Sequence, residues 1–131
     1  MTNIPNAGEY NASWNNNGKK IAHDVVGPIA YPYAQSIYVT DVETGISTPL
    51  TGAEGGNDPA WSPDGKTIAF DNFYPIPGGL FTIPATGGAR TLIRPNAYHA
   101  TWSNKQDVVA FNDANTYSIS EVYVTIYGDR P

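Results

Sequence analysis

The sequence predicts an all-β chain assembled from three copies of one antiparallel unit, and three observations predict it. The first is a stretch that reads as strand, tight turn, strand. From Asp58 to Asp71 it runs Asp-Pro-Ala-Trp-Ser-Pro-Asp-Gly-Lys-Thr-Ile-Ala-Phe-Asp. In Ser62-Pro63-Asp64-Gly65 the proline presets φ, the aspartate suits the third position, and the glycine accepts a left-handed conformation. The second observation is recurrence. Aligned on Trp14, Trp61 and Trp102, the chain places Ile21, Ile68 or Val109 seven residues on, then Ala22, Ala69 or Ala110. Asp24, Asp71 or Asn112 comes ten residues on, and a further strand follows: Ile37-Tyr38-Val39, Leu80-Phe81-Thr82-Ile83 or Val122-Tyr123-Val124. The third is composition. The 131 residues include 13 Gly and 11 Pro, with no sustained 3.6-residue period. The tryptophans lie 47 and 41 residues apart, and about four strands in a period of that length is the signature of propeller blades.

Pro59-Ala60-Trp61-Ser62-Pro63-Asp64-Gly65-Lys66, then Ile68-Ala69-Phe70, an Ile-Tyr-Val-type strand and a glycine-containing turn, resembles the WD-like repeat of TolB-type β-propellers. The match spans nearly the whole chain. It is close in the second repeat and looser in the first and third. The resemblance implies a six-bladed parent architecture and a periplasmic or secreted setting. Propellers host many unrelated activities, so it implies fold more than function.

The units follow in order. Residues 1–9 read as a stub and linker, with Met1 to Ile4 in the register of an outer strand. The first blade spans about 10–51, with strands near 10–14, 20–25, 36–41 and 47–51. Its loop Gly27 to Gln35 is long and carries Tyr31 and Tyr33. The second blade spans about 57–94, and its loop Asn72 to Gly78 carries Phe73 and Tyr74. The third spans about 98–127. Gln106 stands where the turn asks for glycine, at a cost of roughly 1 kcal/mol if the turn type is kept. This last blade reads as lacking its outer strand. Three four-stranded blades amount to half of a six-bladed propeller, so a homodimer of two chains is expected to close the ring.

Composition excludes several classes. Seven Lys and Arg against twelve Asp and Glu leave no basic stripe, so no nucleic-acid partner is expected. Without cysteine there is neither a disulfide framework nor a thiolate zinc site. No run approaches the roughly 20 apolar residues of a membrane span, and the first residues read without a signal peptide.

The tryptophans read as packing between blades. The candidate site is the end where each inner strand begins. Asn11, Asp58 and His99 lie three residues before the tryptophans, and Tyr10, Asn57 and Tyr98 one earlier. These six, with Tyr31, Tyr33, Phe73, Tyr74 and Tyr117 from the loops, are expected to ring the channel mouth. An aromatic, polar-centred funnel suits a protein, peptide or glycan ligand, or a cation. Asp58 and His99 are competent metal ligands, but they equally suit hydrogen bonding across the channel through ordered water.

Some propellers of the resembled kind are lyases with a histidine-rich metal centre, and only His99 matches such a site here. His23 aligns with Phe70 and Phe111 at a core register. No Gly-x-Ser-x-Gly elbow occurs. Asp24, Asp71 and Asn112 read as loop caps. The sequence therefore reads as a non-enzymatic binding or interaction module with no catalytic residue, metal ligand or cofactor assigned. The other reading is the propeller part of a hydrolase or lyase acting on peptide or polysaccharide.

Overall fold

The computed structural model describes residues 4, 7–27, 35–73, 78–105, 108–113 and 121–126. Three antiparallel sheets carry the described chain. The first comprises β1 (Gly8–Trp14), β2 (Lys20–Val26), β3 (Gln35–Asp41) and β4 (Ser47–Pro49). The second comprises β5 (Asn57–Trp61), β6 (Thr67–Asn72), β7 (Gly79–Pro84) and β8 (Thr91–Pro95). The third comprises β9 (Ala97–Trp102), β10 (Val108–Asp113) and β11 (Glu121–Ile126). Within each sheet the strands lie in chain order. This is the predicted all-β array of three blades, with no outer strand in the third among the described residues.

Turn chemistry fixes each hairpin. The Gly65 amide donates to Ser62 O at 3.0 Å, and Gly65 takes a φ of 72°. Ser62 Oγ donates to Asp64 Oδ1 and accepts the Thr67 amide, so the turn's polar groups are mutually satisfied. These bonds also hold the Asp64 carboxyl below the usual carboxylate range. In the first blade Gly18 closes the same turn at a φ of 71°, and Asn15 Oδ1 accepts the amides of Lys19 and Lys20. Gln106 lies outside the described residues.

Alternation along each strand sends side chains to opposite blade faces. Ile68 and Phe70 join Ala22, Ile37, Trp61 and Ile83 in a core between the first two blades. Ala69 and Leu80 face the other way, into a second core with Ala97, Val109 and Phe111. Trp61 and Trp102 lean on the preceding blade. Trp61 sits in the first core and is 7 % exposed, while Trp102 packs against the second. Trp14 departs from the expected inter-blade packing. It is 57 % exposed, because no described blade precedes its own.

The blades are also clamped at the rim. Arg94 on β8 binds Asp113 on β10 through Nε at 2.7 Å and through Nη2 at 2.5 Å. A single 3-10 turn, Gly52–Glu54, links the first two blades and is held by Asn72 and Arg90 on the second. Met1 to Asn3, most of the predicted stub, lie outside the described residues, and Ile4 is not in a strand. Among the described residues, no helix is long and apolar enough to cross a membrane.

Candidate channel-mouth site

A recurring irregularity builds the site. Each inner strand carries a β-bulge at the same place. In β1, Asn11 and Ala12 oppose His23; in β5, Asp58 and Pro59 oppose Phe70; in β9, His99 and Ala100 oppose Phe111. The first residue of each bulge is left-handed, with φ of 49° at Asn11, 49° at Asp58 and 56° at His99. Asn, Asp and His are the non-glycine residues most tolerant of that region. The backbone thus selects the polar residue type at this register. A bulge changes the direction in which its side chain leaves the strand, a common use of bulges beside functional sites.

The residues before the bulge pair with the recurrent Asp, Asp and Asn. Tyr10 lies opposite Asp24, Asn57 opposite Asp71, and Tyr98 opposite Asn112. Of the expected loop caps, Asp71 proves to be a contact between blades. Asp71, fully buried on β6, accepts the His99 amide of the next blade through both oxygens, at 2.8 and 3.0 Å. Asp24 accepts a hydrogen bond from Gln35 Nε2 at 3.2 Å. Its Oδ1 is buried with no hydrogen-bond partner among the described residues.

These neighbours meet. His99 Nδ1 is 3.1 Å from Asp58 Oδ2 and 4.0 Å from Asp71 Oδ2. One ligand atom from each of Asp58, Asp71 and His99 lies within 4.8 Å of the others. The imidazole is exposed, Asp58 partly buried and Asp71 wholly buried. Burial, reinforced by the nearby Asp58 carboxylate and opposed by the His99 amide, pushes the Asp71 pKa up to about 7. Burial likewise raises Asp24, again with Asp58 adding to the effect.

The donor set fits a divalent cation. One imidazole and two carboxylates suit borderline and hard metals. Three protein donors would leave further coordination positions for water or a ligand. Each Asp71 oxygen retains a lone pair beyond the one used by the His99 amide. A cation also relieves the proximity of two carboxylates that otherwise raises the Asp71 pKa.

Of the other predicted mouth residues, Tyr10 is exposed, Asn57 is buried, and Phe73 stacks on Tyr98 with ring centroids 4.9 Å apart. Tyr31, Tyr33, Tyr74 and Tyr117 lie outside the described residues. Sequence reasoning paired Asp58 with His99 but missed Asp71. The signal was its place in the recurrent register: an acid across the hairpin from the residue that precedes the bulge.

No protein-family model matches the chain, and neither does any curated protein. Solved structures do match. A protein described as a TolB from Agrobacterium tumefaciens is 24% identical, with a TM-score of 0.72, over 95% of this chain and 46% of that one. An oligogalacturonate lyase in complex with manganese is 14% identical, with a TM-score of 0.72, over 98% of this chain and 38% of that one. An acylaminoacyl peptidase is 17% identical, with a TM-score of 0.65, over 82% of this chain and 17% of that one. The chain therefore spans less than half the length of each. The likeness shows a propeller fold held in common by TolB, lyase and peptidase structures, which is coarser than a TolB assignment.

It also corrects the reading of a strictly non-enzymatic module. The fold is shared with a lyase and a peptidase, and the chain brings a metal-competent triad together. The physical reason for the error is spacing. A propeller site takes its residues from successive blades, so it leaves no local catalytic motif to find.

Proposed function

We propose that this chain is the propeller part of a lyase or hydrolase, with a divalent-cation site at Asp58, Asp71 and His99 that receives an acidic polysaccharide. The observation that carries the reading is the convergence of those three donors within 4.8 Å of one another. A cation held there supplies positive charge to neutralise a uronate carboxylate. The chain's own residues do the rest. Asp58 and His99 present the exposed donors, and Asp71 fixes the His99 backbone. The Phe73–Tyr98 stack offers an aromatic wall for a sugar ring. Tyr10 and Asn11 complete the proposed ligand-facing set. The likeness to a manganese-bound oligogalacturonate lyase supports the polysaccharide over the peptide.

We further propose that two copies close a six-bladed ring. The leading face of the first blade, with Trp14 exposed, matches in register the faces that are covered between blades.

The test uses tag-free protein. Calorimetric titration with Mn²⁺ at pH 8 is expected to show one site per chain. Oligogalacturonate turnover, followed by ultraviolet absorbance of the unsaturated product, is expected to need the metal. Asp58→Gly keeps the left-handed backbone conformation and should abolish both. Absence of Mn²⁺ binding, or binding unchanged in Asp58→Gly, would overturn the site.

A further inference from the structure

The opposite end of the inner strands holds a second feature that the channel-mouth site does not use. Trp14, Trp61 and Trp102 end β1, β5 and β9, so the three indoles come together where the strands enter their turns. They line a cavity of about 160 Å³ with Asn16, Ser103 and Asn104 from those turns. Trp102 is held by a bond from its Nε1 to Ala60 O at 3.0 Å. Asn16 donates its amide to Pro63 O at 2.9 Å, which ties the first turn to the second and leaves its side-chain oxygen available. Ser103 Oγ accepts the Lys105 amide, which leaves its hydroxyl hydrogen to donate. Trp61 is 7 % exposed, and its Nε1 is buried with no hydrogen-bond partner among the described residues. A buried indole N–H without an acceptor is costly, and native structures rarely keep one without a reason.

We propose that this cavity binds a single sugar ring of an oligosaccharide, as a saccharide site separate from the channel-mouth cation site. Indole faces cover the apolar C–H face of a pyranose, and edge groups pair with its hydroxyls. The wall supplies both kinds of group: rings from three blades, an amide oxygen at Asn16, a hydroxyl at Ser103 and a carboxamide at Asn104. A quaternary ammonium is the other ligand that aromatic cages hold. It has no use for the hydroxyl and amide groups of the wall, so the sugar fits better. The cavity is small for a drug-sized ligand, which matches one ring seated and its neighbours extending into solvent.

The test is tryptophan fluorescence titration with maltotriose, cellotriose, chitotriose and trigalacturonate, with choline as the competing class. At least one oligosaccharide is expected to give a saturable change at millimolar concentration or below. Trp14→Ala, compared with the unsubstituted chain at a protein concentration where both have the same mass in solution, should weaken it about tenfold, the size of one lost stacking contact. Asn104→Ala, at an exposed turn residue, should weaken it severalfold without altering the melting curve or the mass in solution. Binding should persist in chelator and in Asp58→Gly, so failure of the cation site leaves this one standing. Saturation by choline alone, no saturation by any oligosaccharide, or sugar binding indifferent to both substitutions would overturn it.

Discussion

Asp71 is a wholly buried carboxyl that serves as an inter-blade clamp, and its chemistry sets a pH dependence. Its folded pKa of about 7 stands well above the ordinary aspartate value, with burial the main cause. A raised acid keeps its proton in the fold while the unfolded chain has released it. Its contribution therefore favours folding at low pH and is lost as pH rises from about 4 through 7. The loss is on the order of a few kcal/mol. Asp24 acts in the same direction. Thermal melts in chelator should show stability falling between pH 5 and pH 8, and Asp71→Asn should flatten that slope. Asparagine is already the residue at this register in the third repeat, as Asn112, so the substitution is compatible with the hairpin. An unchanged slope in Asp71→Asn would mean that Asp71 is ionised in the fold across this range. Gly79 makes a separate demand. A Cβ there would lie 2.5 Å from Arg94 O on the neighbouring strand, so Gly79→Ala should cost about 1–3 kcal/mol by chemical denaturation.

At the scale of the element, the bulged inner strand carries both stability and site. Because Asp58 holds a φ of 49°, a β-branched replacement is strained there while glycine is not. Asp58→Val should lose about 1–2 kcal/mol, and Asp58→Gly should lose little. Equal losses in the two variants would show that the carboxylate, and not the backbone, decides stability at this position. The same element shows what the sequence carried openly. The register from Trp61 to Asp71 repeated in Trp14 to Asp24 and Trp102 to Asn112, and alternation and turn residues are local signals. The strands and their meander order were therefore legible. The bulge was not. A positive φ at Asn11, Asp58 and His99 leaves only a permissive signal, a choice among Asn, Asp and His. The Asp71–His99 contact was also out of reach, because it joins residues 28 positions apart across two blades. The curvature that brings them together belongs to the array, not to either repeat.

At the scale of the whole molecule, the same inter-blade packing is used twice and left open once. Trp61 packs in one core with Ala22 of the first blade, and Trp102 packs against the core containing Ala69 of the second. Trp14 occupies the same register and is 57 % exposed. Ala110 occupies the register of Ala22 and Ala69 on the third blade. In the proposed two-chain ring, Trp14 of one copy seats over Ala110 of the other, and the two-fold arrangement repeats that contact at both seams. Large indoles at such seams dominate association, and a ring closed by blade packing is expected to bury more than about 2,000 Å² in total. The two substitutions should therefore separate cleanly. Trp61→Ala should cost roughly 3–5 kcal/mol as a cavity inside one chain. Trp14→Ala should leave a single chain's fold intact but shift light scattering from twice the chain mass toward the chain mass on dilution. If the unsubstituted protein is a well-folded monomer at micromolar concentration, the open face of Trp14 is not a seam between copies, and the six-bladed ring of two chains fails with it.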